Sequence, residues 1–514
     1  MRLTCLLLFV FPYLATCQQQ QQQPCAPRDY GYSSFVCVCN ATYCDDLPRP
    51  VLVPEGQYLL YTSDKAASRF LKTEGFFAGR AEGPSVRGVE YILDPTTTYQ
   101  SIMGFGGSFT DSAAIIILSL STPAQDNLLS SYFSPTGLEY NLGRLNMGGC
   151  DFSTRTYTYV ETEGDVELTT FALQPEDLDY KIPIIKRAQE MSSVPIKLVA
   201  SPWSAPPWMK TNNDYIGFGQ LLPDMYQPWA NYFVKFLDSY AAQNVSIWAL
   251  TAQNEPIDGN VPGFTFNCMG WTAEQQKKWV EENLGPTLAA TGYDHVLLMI
   301  MDDQRYNLPG WAEKVLNNGT ASQYVDGIAV HWYGDQISAP DRLNQTHHLF
   351  PDVFILGTEA CEGDTPFEQE VIMGSWERLE NYAHDILVDV NHWVTGWIDW
   401  NLALNTTGGP NWAGNFVDSP ILVSQEKDEF YKNPMFYAMG HFSKFVKAGA
   451  VRVALTSPDS GSLDSAAFLN PDGTTVIIIL NRSEVEELVT VQVPERGTLP
   501  LTLGPRSLHT VLFQ

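Results

Sequence analysis

Two glutamates carry the clearest chemistry in this sequence. Glu255 stands in Ala252-Gln253-Asn254-Glu255-Pro256 and Glu359 in Gly357-Thr358-Glu359-Ala360, each directly after a short apolar run. Two carboxyls facing each other across a cleft are what glycoside hydrolysis requires. One stays protonated to donate to the leaving oxygen, and the other is ionised and attacks the anomeric carbon. Pro256 has no N–H and fixes its own φ, which suits a place where a strand stops. Asn254 offers an amide suited to a sugar 2-hydroxyl, a contact that strengthens in the transition state. With 58 acidic residues in the chain, some must fall at strand ends by accident. Specificity comes from Asn-Glu-Pro and the second glutamate together, at the ends of two strands of one barrel.

Other chemistries find less support. The 8 histidines are scattered, H-E-x-x-H is absent, and adjacent His347 and His348 cannot share one helix face, so no metal site is expected. Gly106-Gly107-Ser108-Phe109 breaks the G-x-S-x-G pattern after its serine. Gly104-Phe105-Gly106-Gly107 lacks the later glycine of a dinucleotide fingerprint and reads as a tight strand-to-helix turn. No organic cofactor is expected either.

The elements that must position the glutamates follow from periodicity. Apolar or β-branched runs occur at Ile102–Phe105, Tyr140–Asn146, Ile196–Ser201, Ser246–Thr251, Val296–Met301, Gly327–His331, Val353–Gly357 and Val394–Trp397. Helix signals lie between them. Thr122-Pro123-Ala124-Gln125 predicts a threonine N-cap with proline in the first turn, and Thr272-Ala273-Glu274-Gln275 a capping box. Eight strands alternating with helices predict an α/β fold, a (β/α)8 TIM barrel over about residues 99–401. Glu255 then ends the fourth strand and Glu359 the seventh. The flanks read as extended chain and turns, with Asn470-Pro471-Asp472-Gly473 joining two strands. All 13 tryptophans fall between Trp203 and Trp412, where they fill a large core or stack on flat sugar faces.

The compartment is legible at the N-terminus. Arg2, an apolar run from Leu6 to Leu14, and Ala15-Thr16-Cys17 form the pattern of a signal peptide over residues 1–17, followed by a polyglutamine linker at 18–24. An oxidising route then favours two disulfides, Cys25–Cys37 and Cys39–Cys44, over a zinc site, because their spacing lacks paired C-x2-C knuckles. Cys150, Cys268 and Cys361 read as buried free thiols. Asn40, Asn244, Asn318, Asn344, Asn405 and Asn481 each begin a glycosylation triplet, in keeping with secretion. A net charge of −28 and a pI near 4.5 exclude a nucleic-acid partner. They also disfavour anionic membranes at neutral pH, though this charge collapses as carboxylates protonate in an acidic compartment.

Nine runs taken together resemble the family of lysosomal acid β-glucosidase, or glucosylceramidase. They are FVCVCNATYC from Phe35, GFGGSFTD from Gly104, CDFSTRTYTY from Cys150, ASPW from Ala200, TAQNEP from Thr251, IAVHWY from Ile328, WNLALN from Trp400, GGPNW from Gly408 and NFVDSP from Asn415. The resemblance covers the mature chain in order. It implies a retaining enzyme that splits glucosylceramide into glucose and ceramide by double displacement, with Glu255 as acid/base and Glu359 as nucleophile. Asp151, Trp203, Asn254, Trp400 and Asn415 match positions that hold glucose, and Tyr333 one that hydrogen-bonds the catalytic carboxylates.

The same resemblance implies two discontinuous accessory domains. A small disulfide-bearing antiparallel sheet takes residues 25–48 and about 402–433. An immunoglobulin-like β-sandwich takes 49–98 and about 449–514, leaving about 434–448 with the barrel. It also implies a saposin-type activator, anionic lipid, peripheral membrane association at acidic pH and a lysosomal or secreted location. The loops at 334–338 and 362–366 are polar and acidic, while Phe264, Phe266 and Met269 offer an apolar wall beside the site. The alternatives are a related β-glucosidase or β-xylosidase acting on soluble glycosides, and a catalytically silent carbohydrate- or lipid-binding homologue.

Overall fold

The computed structural model describes residues 22–79, 88–365 and 367–514. The expected signal peptide and residues 18–21 of the linker lie outside them. Eight parallel strands close into a barrel: β1 (Gly104–Ser108), β2 (Leu142–Met147), β3 (Lys197–Pro202), β4 (Ala249–Thr251), β5 (Leu297–Gln304), β6 (Gly327–His331), β7 (Phe354–Glu359) and β8 (Val394–Asn401). β8 pairs back onto β1, with Trp397 opposite Phe105. Each expected run holds one of these strands, shifted by a few residues at most.

Side chains two apart on a strand share a face, and this periodicity builds the barrel interior in layers. One layer is apolar: Leu142, Val199, Ala249, Met299, Ala329, Leu356 and Ile398, one each from β2 to β8. β1 contributes no bulk there. A Cβ on Gly106 would lie 1.8 Å from the Leu142 carbonyl oxygen, so the strand can approach β2 only as glycine. The glycine run is therefore a barrel strand and not the strand-to-helix turn its sequence suggested. Two residues further along β2, β3, β4, β6 and β7 the layer turns polar, with Arg144, Ser201, Thr251, His331 and Thr358 all buried. β5 joins this layer through a bulge. Its register with β6 shifts between Met301 and Asp303, and Met301 and Asp302 take φ of 70° and 58°. The bulge turns Asp302 into the barrel.

The helices pack outside against one large core that includes Trp229, Trp279, Trp311 and Trp376. The capping box is present, with Thr272 Oγ1 accepting from Gln275 N at 3.1 Å and Gln275 Oε1 from Thr272 N at 2.8 Å. The other cap falls one residue earlier than expected. Helix Thr122–Phe133 is preceded by Ser121, whose hydroxyl donates to Asp428 Oδ2, and Gln125 turns its amide to the Leu120 carbonyl at 2.6 Å.

Two further sheets flank the barrel. One runs in the order Pro27–Asp29, Phe35–Asn40, Glu429–Lys432, Ile421–Ser424, Leu404–Asn405, and carries the disulfides Cys25–Cys37 and Cys39–Cys44. Cys150, Cys268 and Cys361 are free and buried. The other sheet has nine strands, three from residues 57–101 and six from residues 451–513. Apolar residues from both of its ends, such as Tyr58 and Val511 with Val491 and Leu501, share a single core, so the sheet folds onto itself as a sandwich. Its hairpin at Asn470–Gly473 pairs Leu469 with Thr475. Among the described residues no helix is long and apolar enough to cross a membrane.

Candidate active site

Asp302 organises the floor of the barrel mouth. Its Oδ2 accepts from Arg144 Nη2 at 2.9 Å, Ser201 Oγ at 3.0 Å and Thr251 Oγ1 at 2.7 Å. Its Oδ1 accepts from His331 Nε2 at 3.0 Å and Thr358 Oγ1 at 2.6 Å. Against the cost of burial, the Arg144 and His331 charges hold this carboxyl far below the usual carboxylate range. It is a fixed anion, and it orients the two cations above it.

Glu359 is the last residue of β7 and Glu255 lies four residues beyond β4. Arg144 Nη1 donates to Glu359 Oε2, and the Tyr333 hydroxyl donates to Oε1 at 2.9 Å. Burial works against the Glu359 charge while His331 and Arg144 favour it. With a guanidinium on one oxygen and a phenol O–H on the other, the carboxylate is the form this setting stabilises. Glu255 receives both its donors on Oε1, from Gln304 Nε2 at 2.8 Å and His331 Nδ1 at 3.0 Å. Burial opposes the charge of Glu255 too, but the hydrogen bond from His331 holds its carboxyl below the ordinary value. Burial likewise disfavours the imidazolium of His331, and the charges of Glu359 and Asp302 nonetheless push it up to about 10. Glu255 adopts φ of 40°, a left-handed backbone that costs a non-glycine residue about 1 kcal/mol or more.

Carboxylate oxygens of Glu255 and Glu359 lie within 4.8 Å of each other and of a His331 ring nitrogen. The three do not suit a metal. Both His331 nitrogens already point at carboxylates, at 3.0 Å each, and an imidazolium has no lone pair to offer.

The remaining expected residues surround this pair. Asn254 gives its Oδ1 to Arg144 Nη2 at 2.7 Å, and its amide nitrogen takes no protein partner among the described residues. Trp203 and Trp400 stack on each other with centroids 5.3 Å apart and planes 19° apart, and the Arg144 guanidinium lies 5.0 and 5.3 Å from their rings. They belong to an apolar wall with Cys150, Phe152 and Cys361, against which Phe266 and Tyr333 pack. Asn415 donates to Asp151 Oδ2 at 3.0 Å, and so reaches the site through that aspartate. Burial and the Glu359 charge push Asp151 up to about 7. Phe264 and Phe266 meet edge to face at 4.5 Å, but Met269 is fully buried in the large core and forms no part of a wall.

Beside Tyr333 a cavity of about 400 Å³ opens, lined by Trp332, Asp335, Glu362, Asp364 and Val388. Both acidic loops noted in the sequence contribute to it. Asp335 is paired through Oδ2 with Arg305 at 2.6 Å.

Of the six glycosylation triplets, the structure removes one. Asn481 is completely buried, and its Nδ2 donates to the carbonyls of Val485 at 3.0 Å and Gly504 at 2.8 Å, so no glycan fits there. Asn40 and Asn405 turn Oδ1 toward the threonine of their own triplets. Asn244 and Asn318 are exposed, and Asn344 is half-buried on a helix.

Sequence reasoning missed Arg144, Asp302, Gln304 and His331. An arginine within the apolar run Leu142–Met147 was a readable signal; the inward turn of Asp302 was not, because it depends on the bulge.

Residues 102–446 match the TIM-barrel domain of glycosyl hydrolase family 30, and residues 449–511 match that family's beta sandwich domain. The chain is 46% identical over 513 residues to lysosomal acid glucosylceramidase of Mus musculus, with 99% of each chain covered. Among solved structures, SrfJ from Salmonella typhimurium superposes with a TM-score of 0.82 at 31% identity, covering 89% of this chain and 99% of that one. The endo-beta1,6-glucanase BT3312 superposes with a TM-score of 0.77 at 28% identity, again covering 89% and 99%.

Proposed function

The chain belongs to glycosyl hydrolase family 30, and from that premise we propose that it is a retaining β-glucosidase whose substrate is glucosylceramide. Glu359 attacks the anomeric carbon while Glu255 passes its proton to the leaving oxygen, so the glycosidic bond breaks as the glucosyl–Glu359 ester forms. Water then displaces Glu359, losing its proton to Glu255, and both carboxyls return to their starting states. Arg144 and Tyr333 keep the nucleophile ionised and aimed. Asn254 presents its free amide to the sugar, and Asp151 and the tryptophan pair shape the glucose subsite.

The observation that carries this reading is the spacing of the two carboxylates. One oxygen of each lies within 4.8 Å of the other, compatible with the roughly 5–5.5 Å carboxyl separation of retaining pairs. The ceramide leaving group and a lysosomal setting are supported by the similarity to the mouse enzyme. Anionic lipid and a saposin-type activator fit the same setting. There the chain's large negative charge is partly neutralised and tolerates a lipid surface.

The test is hydrolysis of a fluorogenic β-glucoside at acidic pH, with NMR of the first-formed sugar. Wild type should release β-glucose, and Glu359→Gln should lose nearly all activity. An α-anomer as first product, or equal rates in the two proteins, refutes the mechanism. Glucosylceramide in anionic vesicles compared with a soluble β-glucoside tests the aglycone. A preference for the soluble substrate would favour the reading of the acid-lined cavity as a site for a polar leaving group.

A further inference from the structure

The Glu255 carboxyl has two oxygens, and the protein treats them differently. Both N–H donors that reach it, Gln304 Nε2 at 2.8 Å and His331 Nδ1 at 3.0 Å, fall on Oε1. They arrive together because of the bulge in β5. Beyond the bulge Gln304 stands level with His331 on the neighbouring strand β6, and side chains level on paired strands share a face. Both side chains are buried.

Neither donor is free to turn round. A backbone N–H can only donate, and that of Gly334 donates to Gln304 Oε1 at 3.2 Å. The amide oxygen of Gln304 therefore faces Gly334, and its amide nitrogen faces Glu255. Gly334 comes this close because it is glycine: a Cβ there would lie 3.3 Å from Gln304 Cβ and 2.6 Å from the Tyr306 ring. His331 is fixed from its other side, where Nε2 meets Asp302 Oδ1 at 3.0 Å. The ionised Asp302 only accepts, so Nε2 carries a proton. Carboxyls against both ring nitrogens favour the imidazolium, in which Nδ1 donates as well. Two N–H donors then occupy the lone pairs of Oε1 and leave no place on it for a hydroxyl hydrogen.

Resting on Glu255 as the acid/base, we propose that Gln304 is a positioning residue that, with His331, reserves Oε1 as an acceptor and so places the transferable proton on Oε2. In the first displacement the Oε2–H bond breaks as that proton passes to the departing glycosidic oxygen, while the Glu359 carboxylate bonds to the anomeric carbon. In the second, Oε2 takes a proton from the attacking water as the ester to Glu359 breaks, and the starting state returns. Donors on Oε1 also stabilise the carboxylate left behind when the proton departs, so the contact that places the proton eases its transfer. Without the amide, the carboxyl turns about its Cγ–Cδ bond and the proton is divided between two oxygens, only one of which serves the leaving group. Since Gly334 holds Gln304 in turn, the acid/base is tied to the first residue of the loop 334–338, which borders the cavity beside Tyr333.

The experiment compares kcat/KM at one acidic pH on two β-glucosides: dinitrophenyl, whose leaving group departs without a proton, and octyl, whose alkoxide needs one. The readout is the ratio of octyl to dinitrophenyl values within each protein, which does not depend on how much of a variant folds. For Gln304→Met and Gln304→Leu the ratio should fall by about tenfold to a hundredfold, the scale of a misplaced catalytic group. A wild-type ratio in either variant overturns the proposal, however far both rates drop, since a purely structural residue lowers both substrates alike. Glu255→Ala on the same pair separates this from the reading it rests on. A lowered ratio there supports Glu255 as the acid whatever Gln304 does, and adding Gln304→Met should then lower it no further; a further fall would overturn the action of Gln304 through Glu255. An unchanged ratio in Glu255→Ala removes that reading and the proposal with it.

Discussion

Replacing Arg144 with methionine keeps the length of the side chain and deletes the one cation that joins the nucleophile to the barrel floor. Four directed contacts go with it: Nε to Ser201 at 3.2 Å, Nη1 to Glu359, and Nη2 to Asn254 at 2.7 Å and Asp302 at 2.9 Å. Arg144 and Asp302 are both completely buried, and breaking one side of a buried ion pair costs about 3–5 kcal/mol of stability. The kinetic consequence is separable from that loss. Glu359 must be ionised to attack, and the acid limb of kcat/KM reports its protonation in the free enzyme. Without the guanidinium, burial and the Glu255 charge act on Glu359 with His331 and the Tyr333 hydroxyl left to oppose them, so its carboxyl rises. Losing an adjacent cation raises a carboxyl by about 1–3 pH units, and the acid limb should move to higher pH by that amount. At a fixed acidic pH each unit removes about tenfold of the ionised nucleophile, so kcat/KM falls by about 10- to 1000-fold there and recovers in part on raising the pH. The assay is the same fluorogenic hydrolysis across pH, on protein shown to be folded by its melting transition. Arg144→Lys should restore part of the limb and little of the rate, because one ammonium cannot reach Glu359, Asn254 and Asp302 together. A folded Arg144→Met with its acid limb at the wild-type pH would refute the electrostatic role.

Other expectations follow from particular side chains. Asp151, Asp303 and Glu362 are each pushed up to about 7, chiefly by burial. Above about pH 4 the folded protein therefore binds more protons than the unfolded chain, so this stability is complete at acidic pH and drains away as pH rises to about 7. Each group gives up as much as ~1.4 kcal/mol per pH unit over that window; the melting temperature should fall between pH 5 and pH 7.5, and a rise would contradict the burial argument. Asn481→Gln should leave glycan mass unchanged on an intact-mass measurement while lowering the melting temperature, since its two carbonyl contacts are lost. Replacing both cysteines of the Cys25–Cys37 bridge by serine frees a loop of 12 residues and should cost about 3 kcal/mol, measurable by denaturant unfolding.

Much of the fold was legible because barrel strands are buried on both faces and read as short apolar runs. Each of the eight runs holds a strand of the barrel. The capping box at Thr272 was legible for a local reason as well, since its two hydrogen bonds join residues three apart. At Thr122 the same kind of pattern placed the cap one residue late, because Ser121 found a tertiary partner in Asp428 while Gln125 turned its amide back to the nearby Leu120 carbonyl. The triplet at Asn481 and the wall residue Met269 failed similarly. Both are defined by what packs over them, and neighbouring sequence carries no record of that.

The sequence by itself determined where the two glutamates stand, beside the ends of two barrel strands. Spacing within a strand and its termination are local properties, written in consecutive residues. Only the tertiary structure decided what those carboxyls meet. Asp302 reaches the floor because a bulge turns it inward, and Arg144 spans Asp302 and Glu359 because β2 and β7 are brought together by closure of the barrel. A carboxyl's charge state depends on burial and on partners within a few ångströms, and those partners come from residues that the chain alone keeps far apart.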